Sequence, residues 1–237
     1  VLPEGMTEIP DYAFFGSNVE SITLPSTLEK IGEGAFRGSK LKSVAIPESV
    51  TEICGSAFAD CDSLSTVTFA EDAELTTLGK RVFAGSGLTK IELPAGVTTL
   101  YSDDPYDDCY TFYNCSKLTS VTFLGKLTVL NSQAFRGCTA LKSFTIPASV
   151  KAMGVWVFVD SGLESITIPG TLERLCTRSA TNLTYDGNTF RDCKSLKTVV
   201  FEEGVQYING CAFKGCTALT SVTIPASVTG IGDNTFE

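Results

Sequence analysis

Apolar residues recur along the chain in the pattern Leu-x-x-Ile-x-Ile, in which the last apolar positions alternate with polar ones. Such alternation is typical of a β-strand with one buried face. A proline follows most of these segments and, because it has no N–H group, it ends the strand there. A second apolar pair, such as Val50 and Ile53, predicts another short extended segment on a different wall. The clearest strand patterns are Leu41/Val44/Ile46, Leu88/Ile91/Leu93, Leu118/Val121/Phe123, Leu163/Ile166/Ile168 and Leu196/Val199/Phe201.

One phenylalanine per repeat follows these segments, at intervals of 22 to 32 residues. We call these residues anchors and number the coils of the repeat after them. Each anchor is expected to enter the core from a tight turn or a single helical turn. The anchors of coils 1 to 10 are Phe14, Phe36, Phe58, Phe83, Phe112, Phe135, Phe158, Phe190, Phe213 and Phe236.

The repeat is most regular in Leu141–Phe158, which reappears 78 residues later as Leu219–Phe236. A unit of about 23 residues is not stable alone, because ordering it costs about 1.5 kcal/mol per residue. Its half-dozen apolar side chains contribute only about 1.5–3 kcal/mol each. The units must therefore stack into a solenoid of mostly β structure, with parallel strands, one per 22–23-residue coil, and short turns or single helical turns between them.

We expect residues 1–237 to form a single repeat domain of about nine to ten coils. Both ends lie in mid-repeat, so we expect a longer natural protein or removed caps. The positions between the apolar residues of each strand predict a solvent-facing column, rich in threonine. This column is either an ordinary sheet surface or a hydroxyl-lined binding surface. It comprises Thr23, Ala45, Thr68, Glu92, Thr122, Thr145, Thr167, Val200 and Thr223.

The cysteines also follow the repeat, because five of the nine lie three residues after an anchor. They are Cys61, Cys115, Cys138, Cys193 and Cys216. Serine holds this place in four other coils, and a ladder of buried free thiols is the simplest interpretation. Adjacent coils are close enough for a Cys115–Cys138 or a Cys193–Cys216 disulfide as the alternative. The absence of any Cys-x-x-Cys pair argues against a structural zinc site.

Composition excludes several classes of function. The net charge of −9 disfavours nucleic acid and anionic membranes as partners, because both need clustered lysine and arginine. The chain contains no histidine, so neither a Ser-His-Asp nor a Cys-His catalytic site can exist in it. No apolar run is long enough to span a membrane, and no signal peptide is visible. No cofactor is indicated.

The combined pattern Leu-x-x-Ile-x-Ile-Pro-x-x-Val-x-x-Ile-Gly-x-x-Ala-Phe-x-x-Cys resembles the BspA-like leucine-rich repeats of bacterial and protist surface proteins. The resemblance covers nearly the whole chain. It implies a leucine-rich repeat solenoid in a secreted or surface-exposed protein. It also implies adhesion to a protein or glycan ligand, such as host extracellular matrix or another cell surface. The repeat conserves stacking residues, which say nothing about the ligand.

Two insertions interrupt the repeat at the same point, between the second apolar pair and the anchor. Leu100 and Phe112 are twelve residues apart, and Leu175 and Phe190 are fifteen apart, where five is usual. The inserted residues lie near 101–107 and 176–185. Because they occupy equivalent places three coils apart, we expect both loops on one edge of the solenoid, with roots roughly 14–15 Å apart. Loops of this kind often carry function.

Aromatic and charged residues concentrate in these loops, and the only tryptophan, Trp156, lies two residues before an anchor between them. Exposed tyrosine and tryptophan are frequent in recognition sites. We therefore predict a two-part binding edge, with ordinary surface loops as the alternative. Its candidate residues are Tyr101, Asp103, Asp104, Tyr106, Asp107, Asp108, Tyr110, Trp156, Arg178, Tyr185 and Asp186.

The four aspartates of the first loop do not have the spacing of an EF-hand, so a solvated acidic loop is favoured over a calcium site. The sequence contains no phosphate-binding loop and no nucleophile motif, which disfavours an enzyme. A non-catalytic binding or adhesion module is the preferred function. A structural spacer that displays other domains of a longer protein is the alternative. Neither direct membrane insertion nor nucleic-acid binding is expected.

Overall fold

The computed structural model describes residues 1–172, 175 and 187–237. Fifteen strands and no helix occur in this part of the chain, so the mostly β solenoid is confirmed. The strands are β1 Glu8–Ile9, β2 Lys30–Ile31, β3 Ser43–Ile46, β4 Glu52–Ile53, β5 Thr66–Phe69, β6 Thr77–Leu78, β7 Lys90–Leu93, β8 Ser120–Phe123, β9 Val129–Leu130, β10 Ala152–Met153, β11 Ser165–Ile168, β12 Thr198–Phe201, β13 Tyr207–Ile208, β14 Ser221–Thr223 and β15 Gly230–Ile231.

The longer strands form the first wall, and equivalent residues of adjacent coils lie side by side. Val44 of β3 pairs with Val67 of β5, and Ile166 of β11 pairs with Val199 of β12, all in parallel. The apolar positions point into the core, as the alternation predicts. The threonine-rich column between them is exposed, except for the half-buried Val200.

This wall is not continuous. Strands β3 and β5 form one pair, β7 and β8 a second, and β11, β12 and β14 a three-stranded group. The most regular repeat, in coil 7, has no assigned strand at 143–146, although its Phe144 and Ile146 are buried like the strand residues of other coils. Its Phe144 replaces the Val or Ile of adjacent coils and packs 4.9 Å from Phe135 and 5.1 Å from Phe158, between ring centres. The larger phenyl ring of Phe144 is the difference from the adjacent coils that accompanies the absence of a strand here.

The two-residue strands form the second wall that the second apolar pair predicts. Strands β1, β2, β4 and β6 lie in one parallel sheet, and β9/β10 and β13/β15 form two further pairs. Glu8, Lys30 and Glu52 are consecutive partners in this sheet. Each carboxylate lies 3.8 Å from the ammonium of Lys30. Because all three side chains are well exposed, these ion pairs contribute little stability.

The anchors form a continuous stack of phenyl rings through the core. Successive ring centres are 5.1 to 5.8 Å apart and the rings are nearly parallel. The eight anchors of coils 2 to 9 are fully buried, whereas Phe14 is partly buried and Phe236 is 42% exposed. The prediction of an anchor dropped into the core by a turn is confirmed.

Each anchor turn has an unusual backbone. The residue two positions before the anchor has a positive φ in every coil, and the residue two positions after it has one in coils 1 to 9. Glycine, asparagine and aspartate occupy many of these places, because they tolerate the left-handed region. In coils 4 to 7 the residue two positions before the anchor is large: it is Arg81, Tyr110, Gln133 or Trp156. Large side chains are uncommon in the left-handed region. We call the residues two positions before the anchors the turn column.

The cysteine ladder is made of free thiols, and the Cys115–Cys138 and Cys193–Cys216 disulfides are not present. Each sulfur lies against the carbonyl oxygen of the anchor in the preceding coil. The Sγ–O distances run from 2.9 to 3.1 Å. Each thiol thus contacts a backbone carbonyl, and Cys193 and Cys216 also interact with each other without forming a disulfide. Burial raises the pKa of the Cys115 thiol to about 11. The Cys115 thiol is therefore structural rather than reactive.

Candidate functional site

The first inserted loop, residues 101–108, is fastened to the next coil by a buried asparagine. The side-chain nitrogen of Asn131 donates to the carbonyl oxygens of Ser102, at 3.0 Å, and Asp104, at 2.7 Å. Asn131 has no exposed surface. The hydroxyl of Ser132 donates to the carbonyl of Pro105 at 3.1 Å, and its backbone N–H donates to the same oxygen at 2.8 Å. These hydrogen bonds attach the loop to the next coil.

Asn131 stands where several coils have glycine. At the equivalent Gly79, an added Cβ would lie 2.2 Å from the backbone nitrogen of Gly55, so no side chain fits between those coils. In coil 5 the insertion leads the backbone outward, and the space is occupied by the amide of Asn131. An asparagine at this point of the repeat is thus a local signal for a docked loop, which sequence reasoning overlooked.

The carboxylates of the loop organise its own backbone. Asp104 accepts a hydrogen bond from the N–H of Tyr106 at 2.9 Å, and Asp107 accepts one from the hydroxyl of Ser102 at 2.6 Å. Tyr101 and Asp103 are exposed. Within the described part of the chain, no group of three or more acidic or cysteine side chains is close enough to hold a metal ion.

Asp108 and Tyr110 are joined by a residue of the next coil. The side-chain nitrogen of Gln133 donates to Asp108 Oδ1 at 2.8 Å and to the hydroxyl oxygen of Tyr110 at 2.7 Å. The oxygen of the same amide accepts from Arg136 Nη1 at 3.0 Å. Burial and the charge of Asp108 raise the pKa of Tyr110. The phenol therefore remains neutral at ordinary pH.

Cationic side chains surround the two tyrosines at this point. The guanidinium carbon of Arg81 lies 5.5 Å from the ring centre of Tyr110 and 5.9 Å from that of Tyr113. The two rings meet edge to face at 5.4 Å. Lys80 Nζ lies 5.4 Å from Tyr110, and Arg136 lies 5.9 Å from Tyr113. We call this group the tyrosine–arginine cluster: Lys80, Arg81, Tyr110, Tyr113, Gln133 and Arg136.

Sequence reasoning identified Tyr110 but did not select Lys80, Arg81, Gln133 or Arg136. Arg81 and Arg136 are far apart in the chain and lie outside the insertions. Alignment of the coils on their anchors would have found part of the cluster, since Arg81, Tyr110 and Gln133 occupy the same place in consecutive coils.

Trp156 also belongs to the turn column, two coils beyond Tyr110. Its φ is +58°, and its backbone N–H donates to the carbonyl of Gly187 at 3.1 Å. The side chain is 37% exposed. In the described residues its indole has no ring or cation partner, unlike the rings of Tyr110 and Tyr113.

Arg178, Tyr185 and Asp186 of the second insertion lie outside the described residues. The prediction that both loops share one edge of the solenoid therefore stays a prediction. On the first wall, a groove of about 520 Å³ lies between β5 and β7. Thr68, Glu92 and the exposed Leu124 contribute to its lining, so the threonine-rich face offers a second concave surface.

The chain is similar in sequence and structure to known leucine-rich repeat proteins. Residues 1–109 and 108–237 match the family described as BspA type leucine-rich repeat region, in 6 copies. A leucine-rich repeat protein from Bacteroides ovatus has a similar structure, with 31% identity and a TM-score of 0.81 over 100% of this chain. The chain spans 57% of the length of that protein.

The pneumococcal vaccine antigen PcpA is more distant. It shares 21% identity with a TM-score of 0.55, over 97% of this chain and 57% of its own length, and supports the fold alone. A search of curated proteins found no match. No helix in the described residues is long and apolar enough to cross a membrane.

Proposed function

Since this chain belongs to the BspA-type leucine-rich repeat family, we propose that it is a non-catalytic recognition module at a cell surface or outside the cell. It binds a protein or a glycan through the edge that carries the docked loop and the turn column. The similarity to a pneumococcal vaccine antigen agrees with such a location. The second insertion, with Arg178, Tyr185 and Asp186, is proposed to extend the same edge.

The observation that carries this proposal is the exposed indole of Trp156 at a left-handed backbone position. A left-handed conformation costs about 1–2 kcal/mol for a residue with a Cβ, and an exposed ring recovers little of this by packing. Asparagine occupies the equivalent place in coil 8, Asn188, and tolerates this backbone better. A tryptophan here is therefore poorly explained by stability and well explained by contact with a ligand.

A catalytic role has little physical support. The chain lacks histidine, and burial raises the pKa of Cys109 and Cys115 to about 11, so these thiols do not supply a thiolate near neutral pH. Leucine-rich repeat proteins are generally binding modules. The spacer alternative rests on the regular stacking of the coils and assigns no role to Trp156.

The test is an array of purified extracellular matrix proteins and glycans, probed with the wild-type chain and with Trp156→Asn. We expect at least one specific ligand and a loss of binding of about tenfold or more in the variant, as for a hot-spot residue. Tyr12→Asn is the matched control, because Tyr12 is 51% exposed in the same column of coil 1. Absence of any specific ligand would favour the spacer, and equal binding by Trp156→Asn would exclude this edge.

A further inference from the structure

In the described part of the chain, seven lysine and arginine residues form ion pairs with carboxylates, and the cations of the tyrosine–arginine cluster are not among them. In the described part of the chain, exposed cations such as Lys42 and Arg37 lie within 4.0 Å of carboxylates, Glu20 and Asp60 respectively. No such ion pair there includes Lys80, Arg81 or Arg136. Three positive charges thus gather without a directly paired carboxylate, in a chain whose net charge is −9.

These cations are held in place before any ligand arrives. The guanidinium of Arg81 lies near the rings of both Tyr110 and Tyr113, and Arg136 is fixed by Tyr113 and by its hydrogen bond to Gln133. Ordered guanidinium groups recognise carboxylate and sulfate groups well, because two N–H donors match two acceptor oxygens. Fixing them in advance reduces the entropy lost on binding.

One carboxylate, that of Asp108, is hydrogen-bonded to two members of this cluster but forms no ion pair with its cations among the described residues. Asp108 accepts from the amide of Gln133 at 2.8 Å and from the hydroxyl of Tyr110 at 3.4 Å. It offsets one of the three positive charges electrostatically. The remaining excess favours an anionic ligand at this place, although the rest of the chain repels one.

Trp156 lies on the line along which such a ligand would extend. Arg81, Tyr110, Gln133 and Trp156 occupy one position in four consecutive coils, whose pitch is about 4.8 Å. This pitch is close to the length of one hexose in an extended chain. A sugar ring also offers an apolar face to an indole, whereas an acidic peptide offers none at regular intervals.

We propose that the tyrosine–arginine cluster and Trp156 bind an acidic polysaccharide that runs along the turn column, across the coils. Carboxylate or sulfate groups of the glycan pair with Arg81, Arg136 and Lys80, and one sugar ring stacks on Trp156. This inference rests on the proposed recognition function and specifies its ligand as a glycan with regularly spaced negative charges.

The test measures binding of hyaluronan, chondroitin sulfate, a neutral β-linked glucan and polyglutamate by calorimetry. We expect the acidic glycans to bind and the neutral glucan not to bind. The double variant Arg81→Gln/Arg136→Gln is expected to lose about tenfold or more in affinity. Trp156→Asn should also weaken binding. Hyaluronan carries carboxylate groups alone, whereas chondroitin sulfate carries carboxylate and sulfate groups. Comparing their affinities therefore identifies which anionic group the cluster prefers.

The matched control is Arg37→Gln, which removes an arginine one residue after its anchor, as Arg136 is, but one already paired with Asp60 at 3.0 Å. It should leave binding unchanged. If the double variant unfolds, the exposed Lys80→Gln and the salt dependence of the wild type remain as tests. Raising salt from about 0.1 M to about 1 M shortens the screening length from about 10 Å to about 3 Å and should weaken binding.

The inference is overturned if neither acidic glycan binds, if the neutral glucan binds equally well, or if the arginine variants bind like the wild type. Polyglutamate binding that is as tight, and independent of Trp156, would replace the glycan with an acidic protein segment. A protein ligand on the array that requires Trp156, without glycan binding, would refute this inference and leave the proposed recognition function intact.

Discussion

The side-chain nitrogen of Gln133 lies 2.7 Å from the hydroxyl oxygen of Tyr110, and the two residues occupy the same position in adjacent coils. The same nitrogen donates to Asp108, at the end of the inserted loop. The side-chain amide of Gln133 therefore connects the inserted loop and Tyr110, whose ring Arg81 approaches, to the following coil.

Replacing Gln133 should destabilise the protein by more than an ordinary surface substitution. Gln133→Leu removes the donor to both Asp108 and Tyr110 at a site that is only 3% exposed. We expect the free energy of unfolding to fall by about 1–3 kcal/mol, as for polar groups left without partners. Chemical denaturation measures this. Gln206→Leu, at an exposed glutamine, should change it by less than about 0.5 kcal/mol. Equal effects would show that the link is energetically unimportant.

Asn131→Gly should release the inserted loop while retaining the repeat. Glycine is the residue of several other coils at this point, but it lacks the amide that donates to the carbonyls of Ser102 and Asp104. We expect faster proteolysis and faster amide exchange within residues 101–108, because these depend on local opening. Asn18→Gly, at an exposed site in coil 1, is the control. Unchanged cleavage of the loop would mean that other contacts hold it.

The buried thiols predict a loss of stability in alkaline solution. Burial raises the pKa of Cys109 and Cys115 in the folded chain to about 11, from an ordinary value of 9.0. Below pH 9 both folded and unfolded thiols are protonated and their full contribution is present. Above it the unfolded thiols ionise first, so stability falls as the pH rises from about 9 to about 11.

Each of these two thiols should account for about 2–3 kcal/mol of that loss, because one pKa unit corresponds to about 1.4 kcal/mol. Denaturation curves between pH 7 and pH 11 measure it under reducing conditions. Cys115→Ser should reduce the slope, since serine does not titrate there and replaces cysteine in other coils. A slope identical to that of the wild type would contradict the assignment of part of the loss to Cys115.

The anchor stack should tolerate truncation at its end but not in its middle. Phe112 is fully buried, with ring centres 5.7 Å from Phe83 and 5.3 Å from Phe135. Phe112→Ala should cost about 3–5 kcal/mol, as for other large aromatic side chains removed from a core. Phe236→Ala, at a ring that is 42% exposed, should cost much less. Denaturation midpoints compare the two, and similar shifts would contradict a continuous core.

Much of the fold followed from local pattern. The alternation of Val44 and Ile46 with exposed positions predicted a strand, and the recurrence of Phe36, Phe58 and Phe83 predicted an aromatic core. Together with the second apolar pair of each repeat, they were enough to predict parallel strands on two walls. Repetition makes this possible, because each residue of a coil meets its own equivalent in the next coil. The resemblance to BspA-like repeats is confirmed by the family match over both halves of the chain.

The pattern left the direction of individual side chains open. The cysteines recur at the correct interval for a cross-coil disulfide, yet each sulfur lies against a backbone carbonyl, such as that of Phe83 for Cys115. Phe144 is buried as the strand pattern predicts, but its ring is larger than the Val or Ile of adjacent coils. No paired strand forms at this point of the coil. Neither outcome can be read from spacing, since both depend on how side chains share the core.

The sequence by itself determined the solenoid, the turns around each anchor and the place of the first inserted loop, because these depend on period and residue type. Only the tertiary structure decided that Asn131 fastens that loop and that Arg81 and Arg136 meet at Tyr113. Stacking brings together residues from different coils at a pitch of about 4.8 Å, whatever their separation in the chain. The candidate site is a product of that stacking, and pattern alone revealed only its aromatic members.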